Sequence, residues 1–78
     1  MEFHEMEMIP DDNAYNFRYL EVSHRAGYCQ LYELNDRVSV KLIHDAARQL
    51  KMRWAEAWAT LMRGNELKLK NSVFRLAK

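Results

Sequence analysis

Ala46-Ala47-Arg48-Gln49-Leu50-Lys51-Met52-Arg53-Trp54-Ala55-Glu56-Ala57-Trp58-Ala59-Thr60-Leu61 is the stretch on which the fold turns. It lies within residues 41–63, which hold no Pro or Gly and are dominated by helix formers. Ile43, Ala47, Leu50, Trp54, Trp58 and Leu61 recur at steps of three or four, the spacing of one apolar helix face. Two foldings accommodate that stripe. A single helix of about twenty residues explains the periodicity without a break and leaves Met52 on the far side. Alternatively the chain turns between Leu50 and Arg53. Ala46, Ala47, Leu50 and Met52 then close one helix and its turn, while Ala57, Trp58 and Leu61 bury the next. Small residues let two such helices cross closely, at about 90–120°.

The paired alanines, Leu50, Met52, Trp54 and the Ala57-Trp58 pair make this run resemble the helix-turn-helix of ModE-type and LysR-type regulators. The resemblance covers about sixteen residues. It departs from the family pattern at two positions. Lys51 stands where a glycine is usual, and a non-glycine residue in a left-handed turn costs about 1 kcal/mol. Arg53 stands where Ser or Thr usually caps the recognition helix. The resemblance implies a winged or bare helix-turn-helix that reads the DNA major groove with residues 53–63.

Outward from this stretch, Gly64-Asn65 is a helix stop. Residues 66–69 and 73–76 alternate polar and apolar around Lys70-Asn71-Ser72, so a C-terminal hairpin over 66–76 is expected. Upstream, Val38-Ser39-Val40 reads as a short strand. Residues 28–34 read as a returning strand or a short helix, and only residues 25–34 could supply the first helix of a winged-helix domain. Residues 15–23 alternate, with Tyr15, Phe17, Tyr19 and Glu21 on one face and Asn16, Arg18, Leu20 and Val22 on the other. The aromatic face suits a core or a protein partner better than base stacking, since acids surround it. Gly27 suits a turn, and Pro10-Asp11-Asp12-Asn13 sets residues 2–9 apart. The fold class expected is α+β: one small domain over 1–78 with N-terminal antiparallel strands, a helical segment 41–63 and a terminal hairpin.

With 78 residues, the chain buries only about 60–65% of its unfolded surface. Few residues are left to build a catalytic site, and no enzyme activity is expected. Hydrophobic residues make up 49% and charged ones 29%, which suits a globular fold. A lone Cys excludes an internal disulfide, and two glycines leave no phosphate-binding loop. No apolar run is long enough for a membrane helix, and residues 1–5 do not resemble a signal peptide, so a cytoplasmic protein is expected. Residues 1–40 carry eight acids against three bases, a net −5. Residues 41–78 carry nine bases against three acids, a net +6. A basic half can follow phosphates, or the halves can neutralise each other across the fold.

Other constellations point less far. His4, Met6 and Met8 alternate as Cu(I) ligands could on a strand, but alternating Met is ordinary core or interface, and no metal or cofactor is expected. His24, His44 and Cys29 could suggest a Cys–His nucleophile, yet nothing fixes their proximity. His44 and Asp45 are helix neighbours that point in different directions.

Two function classes follow. The leading reading is a DNA-binding regulator. In it Arg53, Ala55, Glu56, Ala59 and Arg63 face the groove, and Arg48, Lys51, Lys68 and Lys70 meet phosphates, with Arg75 adding charge to the wing. Such a short chain is expected to dimerise. The other reading is an inhibitor or adaptor of a host protein complex, of the phage or mobile-element type. It docks through an acidic strand edge (Glu2, Glu5, Glu7, Asp11, Asp12) or the exposed helix face. The pI of about 7.9, low for a DNA-binding domain, favours it. Lys51 separates the two: as a helix residue it supports the inhibitor, as a turn residue the DNA reader.

Overall fold

The computed structural model describes residues 17–78. Two strands come first, β1 (Tyr19–His24) and β2 (Cys29–Glu33). Two helices follow, α1 (Arg37–Gln49) and α2 (Trp54–Met62). The chain ends with β3 (Leu67–Lys68) and β4 (Ser72–Ala77). The four strands form one antiparallel sheet in the order β2-β1-β4-β3. The two central strands are therefore the first and the last in the chain. The expected α+β fold, with a hairpin on either side of the helices, is the fold observed.

Alternation in the strands decides which face takes the helices. Leu20 and Val22 of β1 stand opposite Leu76 and Phe74 of β4, and all four are buried. Leu67 of β3 pairs with Phe74 and extends this apolar floor. Ile43, Ala46 and Ala47 of α1 and Ala57, Trp58, Leu61 and Met62 of α2 cover it. The inner face of β1 is thus its aliphatic face. Tyr19 and Glu21 lie on the outer face, and Phe17, just before the strand, packs against the core. Residues 15 and 16 lie outside the described residues.

Three expectations are corrected around α1. The helical segment begins at Arg37, not at residue 41. Val38-Ser39-Val40 is its first turn rather than a strand. Asp36 has extended backbone and its carboxylate accepts from the Val38 N–H at 3.5 Å, which caps the helix. Ser39 is fully buried and its hydroxyl donates to the Glu33 carbonyl at the end of β2. That bond holds residues 38–40 in the helical turn, over their β-branched preference. Residues 25–34 give a turn and β2 instead of a helix. His24 N–H donates to the Tyr28 carbonyl at 2.7 Å, and Gly27 takes a φ of 107° to close that turn.

The single long helix is also corrected. Helix α1 stops at Leu50, and Lys51 has a φ of 57°, the left-handed conformation. Lys51 N–H donates to the Arg48 carbonyl at 3.1 Å and Met52 N–H to the Ala47 carbonyl at 2.9 Å. These are the two backbone bonds of a Schellman closure. Helix α2 ends in the same way. Gly64, at a φ of 87°, donates to Leu61 at 2.9 Å, and Asn65 donates to Thr60 at 3.1 Å. Only the second closure has a glycine at the left-handed position. Met52, which a continuous helix would expose, is half-buried against the core.

Two stability outcomes follow. Replacing Lys51 by Gly relieves the left-handed strain, and Lys51→Gly should raise unfolding free energy by about 1 kcal/mol in urea at unchanged slope. Ser39→Ala removes the tie between β2 and α1 and should lower it by about 1–2 kcal/mol in the same assay.

Candidate nucleic-acid interface

The surface that presents α2 is set by aromatic stacking at the helix joint. The His44 ring of α1 stacks on Trp54 at 4.1 Å between centroids and 8° between planes. Trp54 in turn meets Trp58 at 5.8 Å and 33°. This ladder fixes the start of α2 against the middle of α1. Trp58 is buried, and its indole N–H has no hydrogen-bond partner among the described residues. The aromatic side chains at the joint are therefore held by apolar and stacking contact, beside the backbone bonds of the Lys51 turn.

With Ala57, Trp58, Leu61 and Met62 turned inward, α2 presents Arg53, Ala55, Glu56 and Arg63 as exposed residues, with Ala59 and Thr60 half-exposed. The groove-facing set expected from sequence thus lies along the outward side of α2 and its two ends. Arg53 is the residue before α2, at its N-cap position, and its side chain makes no capping bond. Arg63 is the C-cap residue at the far end. Thr60 was not expected in this surface. Its hydroxyl donates back to the Glu56 carbonyl at 2.9 Å, so it is already engaged within the helix.

The expected phosphate contacts do not all share the face of this helix. Arg48 and Lys51 are exposed at the end of α1 and in the turn. Arg48 lies 3.8 Å from Asp45, and this exposed pair holds it only weakly. Lys68 is exposed on β3, and because Leu67 beside it faces the helices, its side chain lies on the outer sheet face, away from α2; Lys70 is exposed in the β3–β4 turn. Among the described residues, Lys51, Arg53, Arg63, Lys68 and Lys70 make no ion pair. Arg75 is different: it lies 3.3 Å from Glu21 and 3.6 Å from Glu66. Two carboxylates offset its charge on the outer sheet face.

The β3–β4 turn is anchored. Leu69 N–H donates to the Ser72 carbonyl at 2.8 Å, which closes the turn carrying Lys70. Arg25 N–H, in the β1–β2 turn, donates to the Asn71 carbonyl at 2.9 Å. The tips of the two hairpins are therefore tied to each other. No sequence signal marks Asn71 or the His44–Trp54 stack, since each depends on elements brought together by the turn and the sheet.

The remaining candidates separate. Sheet register puts His24 and Cys29 on opposite faces of the first hairpin. His24 lies 3.3 Å from the Gln30 side-chain oxygen, and the Cys29 thiol donates to Glu21 at 3.2 Å. They form no Cys–His pair. Among the described residues no group of three or more His, Cys, Asp or Glu is placed to hold a metal. No described helix is long and apolar enough to cross a membrane. Glu2, Glu5, Glu7, Asp11 and Asp12, like His4, Met6 and Met8, lie outside the described residues. No family model matches the chain, and no curated protein or solved structure does either.

The uncapped start of α2 is separable from its surface role. Arg53→Ser supplies a side-chain acceptor for the N–H groups of the first turn. It should raise the thermal midpoint, by about 0.5–2 kcal/mol of stability, while removing one exposed cation.

Proposed function

We propose that this protein is a small DNA-binding regulator that reads the major groove with α2 and grips phosphates from the neighbouring turns. The observation that carries this reading is the left-handed Lys51 closing α1 three residues before α2 begins. It gives two helices joined by a four-residue turn, the arrangement in which the second helix enters the groove. The exposed side of that helix bears unpaired guanidinium groups at both ends, Arg53 and Arg63, either of which can make a bidentate contact to guanine. Ala55 and Ala59 suit contact with thymine methyl groups, and Glu56 can accept from the cytosine amino group. Arg48 and Lys51 at the turn between the helices, and Lys70 in the β3–β4 turn, supply sequence-independent attraction.

Fluorescence anisotropy with labelled duplex tests the assignment. Binding should weaken steeply with salt. Arg53→Glu with Arg63→Glu should abolish it while circular dichroism stays unchanged. Arg48→Ala with Lys70→Ala should weaken all duplexes alike and flatten the log–log salt slope by about one unit for each phosphate no longer neutralised. A wild-type protein that ignores duplex at low salt removes the DNA reading and leaves a protein partner as the ligand of this face.

A further inference from the structure

Charge is divided along this chain at the point where the described residues begin. Residues 17–78 hold all twelve Lys and Arg side chains against six acids, a net +6. Residues 1–16 hold the other five acids, Glu2, Glu5, Glu7, Asp11 and Asp12, and no Lys or Arg, a net −5. The fold shows where the two parts join. Phe17, Gly64, Asn65, Glu66, Lys68 and Arg75 line one cleft at the end of the sheet. The described chain therefore begins beside the C-terminal end of α2. Exposed cations surround that point: Lys68 on the cleft wall, Arg18 next to Phe17 and Arg63 next to Gly64. None of the three makes an ion pair among the described residues. The acids nearby are largely committed. Glu66 lies 3.6 Å from Arg75, and Asp36 caps α1. Glu33, opposite Tyr19 on the outer sheet face, remains against the three cations.

We propose that the cation-bearing side of α2 and the cleft at its end are a docking surface for residues 2–12 of the same chain. Asp11 and Asp12 meet Arg18, Arg63 and Lys68 around the cleft. Glu7, Glu5 and Glu2 run along α2 toward Arg53. The reach suffices. Five residues separate Asp12 from Phe17, about 16 Å when extended. Arg53 and Arg63 are ten residues apart, about 15 Å along the helix axis. The ten residues from Glu2 to Asp12 span about twice that when extended. Each exposed charge pair is weak alone. The covalent tether supplies the rest, since it holds the acids near the cations at an effective concentration on the order of millimolar. The docked carboxylates occupy guanidinium groups that otherwise meet phosphates, so docking lowers affinity for a polyanion. This competition rests on the DNA reading; the docking itself does not.

Paramagnetic broadening in the full chain tests the docking without DNA. A nitroxide on Met8→Cys, in a Cys29→Ser background, should broaden the Arg63, Gly64 and Asn65 amide signals at low salt. At about 1 M salt, where the screening length is about 3 Å, the broadening should fall at least threefold. Neutralising the segment, with Glu2, Glu5 and Glu7 changed to Gln and Asp11 and Asp12 to Asn, should remove it at low salt. Arg18→Gln with Lys68→Gln should at least halve it, with unchanged circular dichroism. Isotope-labelled chain without nitroxide, mixed with nitroxide-bearing chain, should show none. Broadening that is absent from residues 63–65, ignores salt and charge, centres on the first turn of α1 or passes between molecules overturns the proposal. In the anisotropy assay the neutralised chain should bind random duplex at least tenfold more tightly than wild type at low salt. Net charge alone favours that gain, whereas Arg18→Gln with Lys68→Gln lowers the net charge and should still bind more tightly than wild type; weaker binding overturns the competition. A docked segment in a chain that ignores DNA removes the DNA reading alone. An undocked segment in a chain that binds DNA removes the docking alone.

Discussion

The left-handed backbone at Lys51 is the constraint on which the rest of the molecule depends. It reverses the chain within four residues, so that α1 and α2 bury their apolar sides on the same sheet face. A lysine has no intrinsic preference for that conformation. The position is held because Lys51 and Met52 N–H groups satisfy two carbonyls at the end of α1, and because Met52 then packs inward. Tertiary burial outweighs a local cost. The same closure at Gly64 carries no such cost and delivers the chain directly to β3.

The helix pair and the sheet divide the work. The sheet supplies an apolar floor from Leu20, Val22, Phe74 and Leu76, and the helices cover it with small and aromatic residues. Alanines at 46, 47 and 57 allow close approach, while the His44–Trp54–Trp58 ladder fills the joint. This leaves the outward side of α2 free of structural duty. Ala55, Glu56 and Arg63 are exposed, and none of them takes part in the core. The charge on that side is accordingly available to a ligand.

Much of this is legible in the sequence, and the illegible parts have identifiable causes. The stripe from Ile43 to Leu61 names the buried helix positions, and Gly64-Asn65 marks the end of α2. Whether the stripe runs through one helix or two is not decidable from spacing, because the step from Leu50 to Trp54 keeps the same phase in both. A glycine at position 51 would have revealed the turn. The first turn of α1 reads as a strand because Val38 and Val40 carry strand propensity. The features that override it, the Asp36 cap and the Ser39 tie, are a local carboxylate and a bond to another element. Within the candidate interface, the outward residues of α2 can be named from spacing. The neutralisation of Arg75 cannot, because Glu21 and Glu66 reach it only through sheet register.

The sheet order also governs when this fold can exist. β1 and β4 are the central pair, yet they stand at opposite ends of the described chain. Neither hairpin nor the helix pair encloses a core by itself, since the floor beneath the helices is made by both strands together. Folding must therefore close a loop of some fifty residues before its main burial is gained, and such non-local pairing slows the search. During synthesis the described elements stay open until β4 has left the ribosome. A chain cut short before β4 lacks half of the central strand pair.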